Sequence, residues 1–190
     1  MGWKWKKRIR LQYDVEAEGY DELYSQEQRK KHDLVIDHLN AFKANERILD
    51  SGCGTGIFLE RAACNVESAV GIDFSSKALQ KARLKLDRLS YVDLVCGDSD
   101  FLPFATGTFT HIFMFTTLPA PALWAAAIRE ALRVLAATGI MVLSVRKSEI
   151  SSEKLVAKLK RSRLDQRELI DQQETPDYIF IGGVAPTATG

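Results

Sequence analysis

Three glycines at alternate positions, directly after a short apolar run, constrain this chain more than any other stretch of its sequence. Residues 47–56 read R-I-L-D-S-G-C-G-T-G, so that Ile48 and Leu49 are followed by Asp50 and then by the glycines. Residues 57–63, I-F-L-E-R-A-A, have the composition of a helix. The pattern predicts a strand, a tight turn and a helix start, in which backbone N–H groups face a bound ligand.

The residue types around this turn exclude two common phosphate sites. A dinucleotide fingerprint, G-x-G-x-x-G, requires glycine three positions after Gly54, where this chain has Ile57. A P-loop requires Gly-Lys-Ser/Thr, which does not occur in the sequence. Asp50 would repel a pyrophosphate, whereas it can pair with an ammonium group. We therefore expect a ligand that carries both an amine and a carboxylate.

Two later stretches also place acidic residues at the ends of predicted strands. In G-I-D-F-S, at 71–75, the apolar strand ends at Asp73. In G-D-S-D-F-L-P-F-A-T-G-T-F-T-H-I-F, at 97–113, Asp98 precedes a further apolar strand. Together with L-D-S-G-C-G-T-G, these stretches resemble, in order and spacing, the motifs of class I S-adenosylmethionine-dependent methyltransferases. The resemblance covers roughly residues 13–181.

The resemblance implies how S-adenosylmethionine would bind, with S-adenosylhomocysteine as the product. Asp50 would bind the methionine amine, the glycine turn would surround the methionyl part, and Asp73 would accept hydrogen bonds from the ribose. Asp98 would accept from the adenine amine. Tyr20 or Tyr24 would close the pocket, with packing away from the ligand as the alternative. The predicted cofactor-binding residues are Asp50, Ser51, Gly52, Cys53, Gly54, Gly56, Asp73, Phe74, Asp98, Ser99, Thr116 and Tyr24.

Strands that alternate with helices predict an α/β fold with a doubly wound, mostly parallel sheet. The resemblance implies seven strands with helices on both faces, the last strand being antiparallel and part of a closing hairpin. We expect a single methyltransferase domain at 13–182, a basic N-terminal arm at 1–12 and a flexible tail at 183–190. A helix predicted from Pro119 to Leu135 would end with a C-cap glycine, Gly139.

Two segments allow more than one interpretation. Residues 1–12 carry five basic side chains together with Trp3 and Trp5. This composition is typical of a poorly ordered arm or short edge strand, or of a contact with nucleic acid or a protein. The strand expected at 91–95 would be an edge strand in the resembled fold and could pair with a partner protein. The alternative is that a loop or the N-terminal arm covers that edge.

Composition bears on the compartment and on metal binding. The net charge of +1 favours no class of partner. Three cysteines without a C-x-x-C pair, and no apolar signal segment, predict a cytoplasmic protein. Since no apolar run is long enough to span a bilayer, we expect no membrane partner. His32 and His38 have no metal-ligand companions, so we expect them to be solvated and expect no metal site.

Methyl transfer from a sulfonium depends mainly on positioning, so no catalytic residue is assigned from the sequence. In the resembled family, amide and exocyclic-amine methyltransferases carry Asn/Asp-Pro-Pro-aromatic after the fourth strand. This chain has T-T-L-P-A-P at 116–121, which argues against such acceptors. The basic segments favour RNA or protein as the acceptor, and a small molecule is the alternative. A second alternative is a cofactor-binding subunit that needs a partner protein for activity.

Overall fold

The computed structural model describes residues 3–40, 42–118 and 124–184, with side chains from Lys6 onwards. Among these residues, no helix is both long enough and apolar enough to cross a membrane. The helices are α1 (Trp3–Glu16), α2 (Tyr20–His38), α3 (Ile57–Ala62), α4 (Ser76–Leu86), α5 (Ala125–Val134) and α6 (Ser152–Arg161), with a 3-10 turn at Ala63–Asn65. The strands are β1 (Arg47–Ser51), β2 (Ser68–Asp73), β3 (Val92–Cys96), β4 (Phe109–Phe115), β5 (Leu135–Arg146), β6 (Leu164–Ile170) and β7 (Asp177–Val184).

The strands form a seven-stranded sheet in the order β3-β2-β1-β4-β5-β7-β6. The pairs β1–β2, β2–β3 and β4–β5 are parallel, whereas β7 is antiparallel to both of its neighbours, β5 and β6. Parallel neighbours need a crossover connection, which the helices between the strands provide. The predicted doubly wound, mostly parallel sheet with an antiparallel final strand is confirmed. Two compact units make up the chain, Met1–Asp98 and Ser99–Gly190.

The first unit contains α1 to α4 and the parallel strands β1, β2 and β3. Residues Arg47 to Ser51 of β1 pair in register with Ser68 to Ile72 of β2. Since all three strands run in the same direction, their carboxyl ends meet at one edge of this part of the sheet. The core of the unit consists of buried apolar side chains, which include Val35, Ile48, Leu49, Leu59, Ala69, Ile72 and Ala82.

The second unit contains α5, α6 and the strands β4 to β7. The pairing of β4 with β5 is regular from His111 opposite Ile140 to Phe115 opposite Ser144. The predicted closing hairpin is present and consists of β6, which begins at Leu164, and β7. The core of this unit includes Phe109, Ile112, Phe113, Trp124, Ala131, Val142, Leu143, Leu155, Leu159 and Phe180.

The N-terminal residues form a helix, so the prediction of a poorly ordered arm or short edge strand is wrong. The range Trp3–Glu16 contains neither glycine nor proline and is rich in lysine and arginine, which favour helices. Its Lys6, Tyr13 and Asp14 side chains contact other residues of the first unit and hold the helix in place. The boundaries proposed for the arm and the domain stay predictions, as does a nucleic-acid contact by the tryptophan side chains, which lie outside the described part.

Gly139 does not end a helix, contrary to the sequence prediction. Helix α5 ends at Val134, and the backbone of Leu135 is already extended, with φ −75° and ψ 135°. Gly139 is a buried residue within β5, beside a break in register between Phe109 and His111 of β4. Strand pairing with β4 therefore begins directly after the helix and leaves no room for a glycine cap.

Two further predictions fall partly on residues that are not described. The predicted helix start at Pro119 lies outside the described residues, as do 119–123 in general. Of the predicted tail at 183–190, Gly183 and Val184 belong to β7, and 185–190 lie outside the described residues.

His32 is buried, not solvated as the sequence suggested. Its ring centroid lies 5.1 Å from that of Phe58, in an edge-on arrangement. Burial lowers the pKa of His32 to about 3, and the positive charges of Lys31, Arg61 and Arg29 act in the same direction. The imidazole is therefore neutral at physiological pH and acts as a packing residue between α2 and α3.

Candidate functional site

The turn after β1 depends on backbone conformations that only glycine adopts without strain. Gly52, Gly54 and Gly56 have φ values of 85°, 52° and 79°. The N–H groups of Gly52 and Cys53 both donate to the carbonyl of Ile72, at 2.7 and 3.1 Å. These bonds fix the turn after β1 against the end of β2. The glycines identified in the sequence therefore shape one loop at the strand ends.

Asp73, at the end of β2, holds this loop through its carboxylate. The N–H of Gly54 donates to Asp73 Oδ2 at 2.9 Å, and the N–H of Ser75 donates to Asp73 Oδ1 at 2.8 Å. Burial raises the pKa of Asp73, an effect that the backbone N–H groups oppose and nearby Asp14 reinforces. Each carboxylate oxygen has a second lone pair, so the group can accept further hydrogen bonds from a ligand.

Asp50 is the most perturbed acid of the first unit. It is 2% exposed at the end of β1. Burial, and then the neighbouring carboxyl group of Asp73, raise the pKa of Asp50 to about 8. A cation placed beside it would favour the ionised form. The same surroundings raise the pKa of the Cys53 thiol, because that group is buried and lies near both acids.

Asp98 follows β3 and completes a row of acids at neighbouring strand ends. The chain reaches it through Gly97, whose N–H donates to the carbonyl of Asp73 at 2.9 Å. Unlike Asp50, the Asp98 side chain is partly exposed, at 35%. The Nζ atom of Lys6, in α1, lies 2.5 Å from Asp98 Oδ2. The three acids predicted for the cofactor therefore occupy consecutive strand ends, and a lysine contacts the outermost one.

Helix α1 contacts the region just after β2. The hydroxyl of Ser75 donates to Asp14 Oδ1 at 2.6 Å, and the N–H of Lys77 donates to the same oxygen at 3.3 Å. The ring centroids of Tyr13 and Phe74 are 5.6 Å apart. Ser75 also caps α4, because its Oγ atom accepts from the N–H of residue 78. Helix α1 is thus anchored where the sequence placed the ribose contact.

Helix α2 is tied to the glycine turn by Asp21. Its carboxylate accepts a short hydrogen bond from the hydroxyl of Thr55 and a 2.7 Å bond from Lys85 Nζ. Burial raises the pKa of Asp21, but the bonds from Lys85 and Thr55, with the charges of Lys85 and Lys81, outweigh it and lower the pKa overall. The N-terminal helices therefore contact both the turn and the end of β2.

The remaining predicted residues lie elsewhere in the two units. Tyr24 is 38% exposed, and its ring centroid lies 5.1 Å from that of Tyr20. Ser99 and Thr116 belong to the second unit. Thr116 has φ 52°, rare for a β-branched residue, and its N–H donates to Ser144 Oγ at 2.9 Å. Its role in cofactor binding stays a prediction, as do the roles of the other residues.

Sequence reasoning missed the residues that reach the site from the N-terminal helices. These residues are Lys6, Tyr13, Asp14 and Asp21. Each is a common surface residue type on a helix of low amphipathicity. The partners of the three charged residues lie 34 to 92 positions away in the chain. No local pattern could have indicated these contacts.

Comparison with known proteins decides the family. The model of a methyltransferase domain matches residues 48–139, which begin in β1 and end in β5. The chain belongs to the class I S-adenosylmethionine-dependent methyltransferases. Its motifs at the ends of β1, β2 and β3 are those that the resemblance predicted from the sequence.

Relatives of this methyltransferase-family chain include two curated bacterial enzymes. A malonyl-[acyl-carrier protein] O-methyltransferase of Legionella pneumophila is 30% identical over 135 residues, 70% of this chain and 47% of that protein. A demethylmenaquinone methyltransferase of Staphylococcus saprophyticus is 31% identical over 111 residues, 57% of this chain and 47% of that protein. The chain spans between 25% and 48% of the length of the first curated relatives that it matches.

Among solved structures, one similar fold comes from a complex between the Haloferax volcanii Trm112 methyltransferase activator and a methyltransferase. The TM-score is 0.72 and the sequence identity is 19%, over 92% of this chain and 98% of that chain. At this identity the likeness shows the shared fold.

Proposed function

We propose that this chain binds S-adenosylmethionine in its first unit and transfers the methyl group to an acceptor. The observation that carries the proposal is the pair of buried acids, Asp50 and Asp73, at neighbouring strand ends beside the glycine turn. Two buried carboxyl groups with raised pKa values are costly unless a ligand compensates them. A nucleoside that carries an ammonium group and ribose hydroxyls offers that compensation.

Each acid has a distinct role in the proposed complex. Asp50 pairs with the ammonium of the methionyl part. The glycine turn leaves space for the carbon chain of that methionyl part. Asp73 accepts hydrogen bonds from the ribose hydroxyls while it keeps its bonds to Gly54 and Ser75. Asp98 accepts from the exocyclic amine of adenine. The residues fit the group because acceptors and anions face the parts of the ligand that carry donors and positive charge.

When bound, the cofactor supplies an electrophilic methyl group on a positively charged sulfur. This methyl group would be open to in-line displacement by a lone pair of the acceptor, with the sulfur keeping the electron pair of the broken bond and the acceptor's proton leaving to solvent or to a base. The contribution of this chain is to hold the nucleoside rigidly and so orient the methyl group. No described side chain is assigned as a base.

Isothermal titration with S-adenosylhomocysteine tests the proposal directly. We expect wild type to bind and Asp73→Ala to lose about 1.5–3 kcal/mol of binding free energy, because charge-assisted hydrogen bonds to the ribose are removed. Asp87→Ala, which removes an exposed acid after α4, is the matched control and should bind as wild type does. The absence of heat with wild type, or equal affinity of the Asp73 and Asp87 variants, would contradict the proposal.

For the acceptor we propose a small molecule, free or attached to a carrier protein. The two curated relatives named above act on malonyl-[acyl-carrier protein] and demethylmenaquinone. An RNA or protein acceptor, which the basic segments favoured, has no support from these relatives, and Lys6 of the N-terminal segment is engaged with Asp98. Cell extract incubated with methyl-labelled cofactor and then fractionated tests this. Label in metabolites or carrier protein is expected, and label in RNA would contradict it.

A partner-dependent enzyme is the second candidate, because β3 is an edge strand. It is the first strand in the sheet order, and Asp93 and Cys96 on it are exposed. The similar Haloferax structure was solved as a complex with an activator. If a partner pairs with β3, co-expression with it should raise solubility and activity. An active monomer obtained without a partner would count against this candidate.

A further inference from the structure

The ion pair between Lys6 and Asp98 joins the N-terminal helix to a predicted cofactor residue. Lys6 Nζ lies 2.5 Å from Asp98 Oδ2, and the two side chains are 21% and 35% exposed. The contact spans 92 positions in the chain, and both residues belong to the first unit. The geometry places a protonated amine on an acid that the proposed function assigns to another amine.

The position of Lys6 is fixed by the rest of α1. Eight residues further along the helix, Asp14 accepts hydrogen bonds from the Ser75 hydroxyl and the Lys77 N–H. Tyr13 packs against Phe74. Eight helical residues extend about 12 Å, so α1 is anchored just after β2 at one end and just after β3 at the other. Lys6 therefore reaches Asp98 from a supported helix.

We propose that Lys6, through its bond to Asp98 Oδ2, competes with the adenine amine for the Asp98 carboxylate, so that the cofactor binds by displacing Lys6. This inference rests on the proposed function, since it assigns a competitor to one group of the same site. Lys6 then sets the affinity for the cofactor and the preference for ligands that carry an exocyclic amine.

The energetics favour exchange over permanent blockage. A lysine ammonium is strongly hydrated and lies on a flexible four-carbon chain, so it moves into water at small cost. Ion pairs near the surface contribute little net free energy, because solvation offsets the attraction. The adenine amine is a neutral donor, so its hydrogen bond to Asp98 is weaker than that of the Lys6 ammonium, but the other contacts of the nucleoside favour its binding. The cofactor therefore displaces Lys6, and its affinity is reduced by the cost of that displacement.

Titration of two variants with two ligands tests the inference. Lys6→Met removes the ammonium and keeps an unbranched side chain that favours helices. Lys7→Met makes the same change of charge at the adjacent, exposed position of α1 and is the control. The ligands are S-adenosylhomocysteine and S-inosylhomocysteine, in which a carbonyl oxygen replaces the exocyclic amine. Thermal melting of each variant checks the fold, and Lys6→Gln replaces Lys6→Met if the latter melts early.

We expect Lys6→Met to bind S-adenosylhomocysteine about three- to tenfold more tightly than wild type, and Lys7→Met to match wild type. S-inosylhomocysteine should gain nothing from Lys6→Met, because its carbonyl cannot donate to Asp98. Unchanged or weaker binding of S-adenosylhomocysteine by a folded Lys6 variant, or an equal gain for both ligands, would overturn the inference. Failure of wild type to bind either ligand would instead refute the proposed function, so the two failures are distinguishable.

Discussion

Binding of the cofactor should depend steeply on pH because of Asp50. In the free protein its pKa is raised to about 8, so at pH 7 only about 9% of the molecules carry the ionised form that an ammonium requires. The apparent affinity is the intrinsic affinity multiplied by this fraction. We expect S-adenosylhomocysteine to bind about ninefold more tightly at pH 7 than at pH 6, and about fivefold more tightly again at pH 8.

The affinity rises with pH because Asp50 binds more protons in the free protein than in the complex. An ammonium beside Asp50 lowers its pKa, so binding releases a proton at any pH between the bound and free values. If the bound pKa falls below 6, a change of at least about two units or roughly 3 kcal/mol, the release at pH 7 is about 0.8–0.9 protons. Calorimetry at pH 7 in two buffers of different ionisation enthalpy measures this number directly.

Two controls isolate Asp50 from the other acids. Asp50→Asn cannot ionise, so its weaker binding should lose the steep dependence between pH 6 and 8. Methylthioadenosine has the nucleoside but no amino-acid part, and its affinity should be nearly independent of pH in wild type. A flat pH profile for S-adenosylhomocysteine with wild type, or the same slope with Asp50→Asn, would refute the assignment of Asp50 to the ammonium.

Three other predictions concern stability and are checked by thermal or denaturant unfolding at defined pH. The folded pKa of Asp50 exceeds the unfolded value of 3.8, so stability falls as pH rises from 4 to 8, and Asp50→Asn should be more stable than wild type at pH 8, by on the order of a few kcal/mol, but not at pH 4. Gly56→Ala should lower the free energy of unfolding by about 2–4 kcal/mol, since at φ 79° its Cβ would lie 3.0 and 3.2 Å from neighbouring side-chain carbons. Gly54→Ala, with open space around it, should lower it by about 1 kcal/mol. Equal losses for the two variants would contradict this. Asp177→Ala removes a fully buried partner of an arginine and should cost about 2–4 kcal/mol, against less than about 0.5 kcal/mol for Asp171→Ala in a half-exposed pair; a small loss at both sites would contradict this.

In the first unit, the glycine turn and the strand-end acids could be located from the sequence because one residue type was physically required at each position. The glycine turn needs positive φ, and acids that follow apolar strands lie at strand ends, so Asp50, Asp73 and Asp98 could be located from local pattern alone. The sheet followed for the same reason, because strands separated by helices pair in parallel. The pKa values of Asp50 and Asp73 could not be predicted, since they depend on burial and on the charges of neighbouring acids.

Contacts between distant polar residues were beyond local pattern. Lys6 and Asp14 have nothing in the neighbouring sequence that indicates a contact, but each bonds to a partner more than sixty positions away. His32 has a lysine on one side and an acid on the other, yet it is buried against an aromatic ring. Gly139 has the surroundings of a helix cap, but strand pairing with β4 overrides that local preference. In each case tertiary structure decided the outcome.

The three thiols of this chain report on different surroundings. Cys64 and Cys96 are exposed, whereas Cys53 is buried within the glycine turn and its pKa is raised. Alkylating reagents react with the thiolate, so the two exposed cysteines are modified first and Cys53 reacts only when the loop opens. The rate of Cys53 alkylation therefore measures how often the loop opens. A molecule that holds the loop closed should lower that rate.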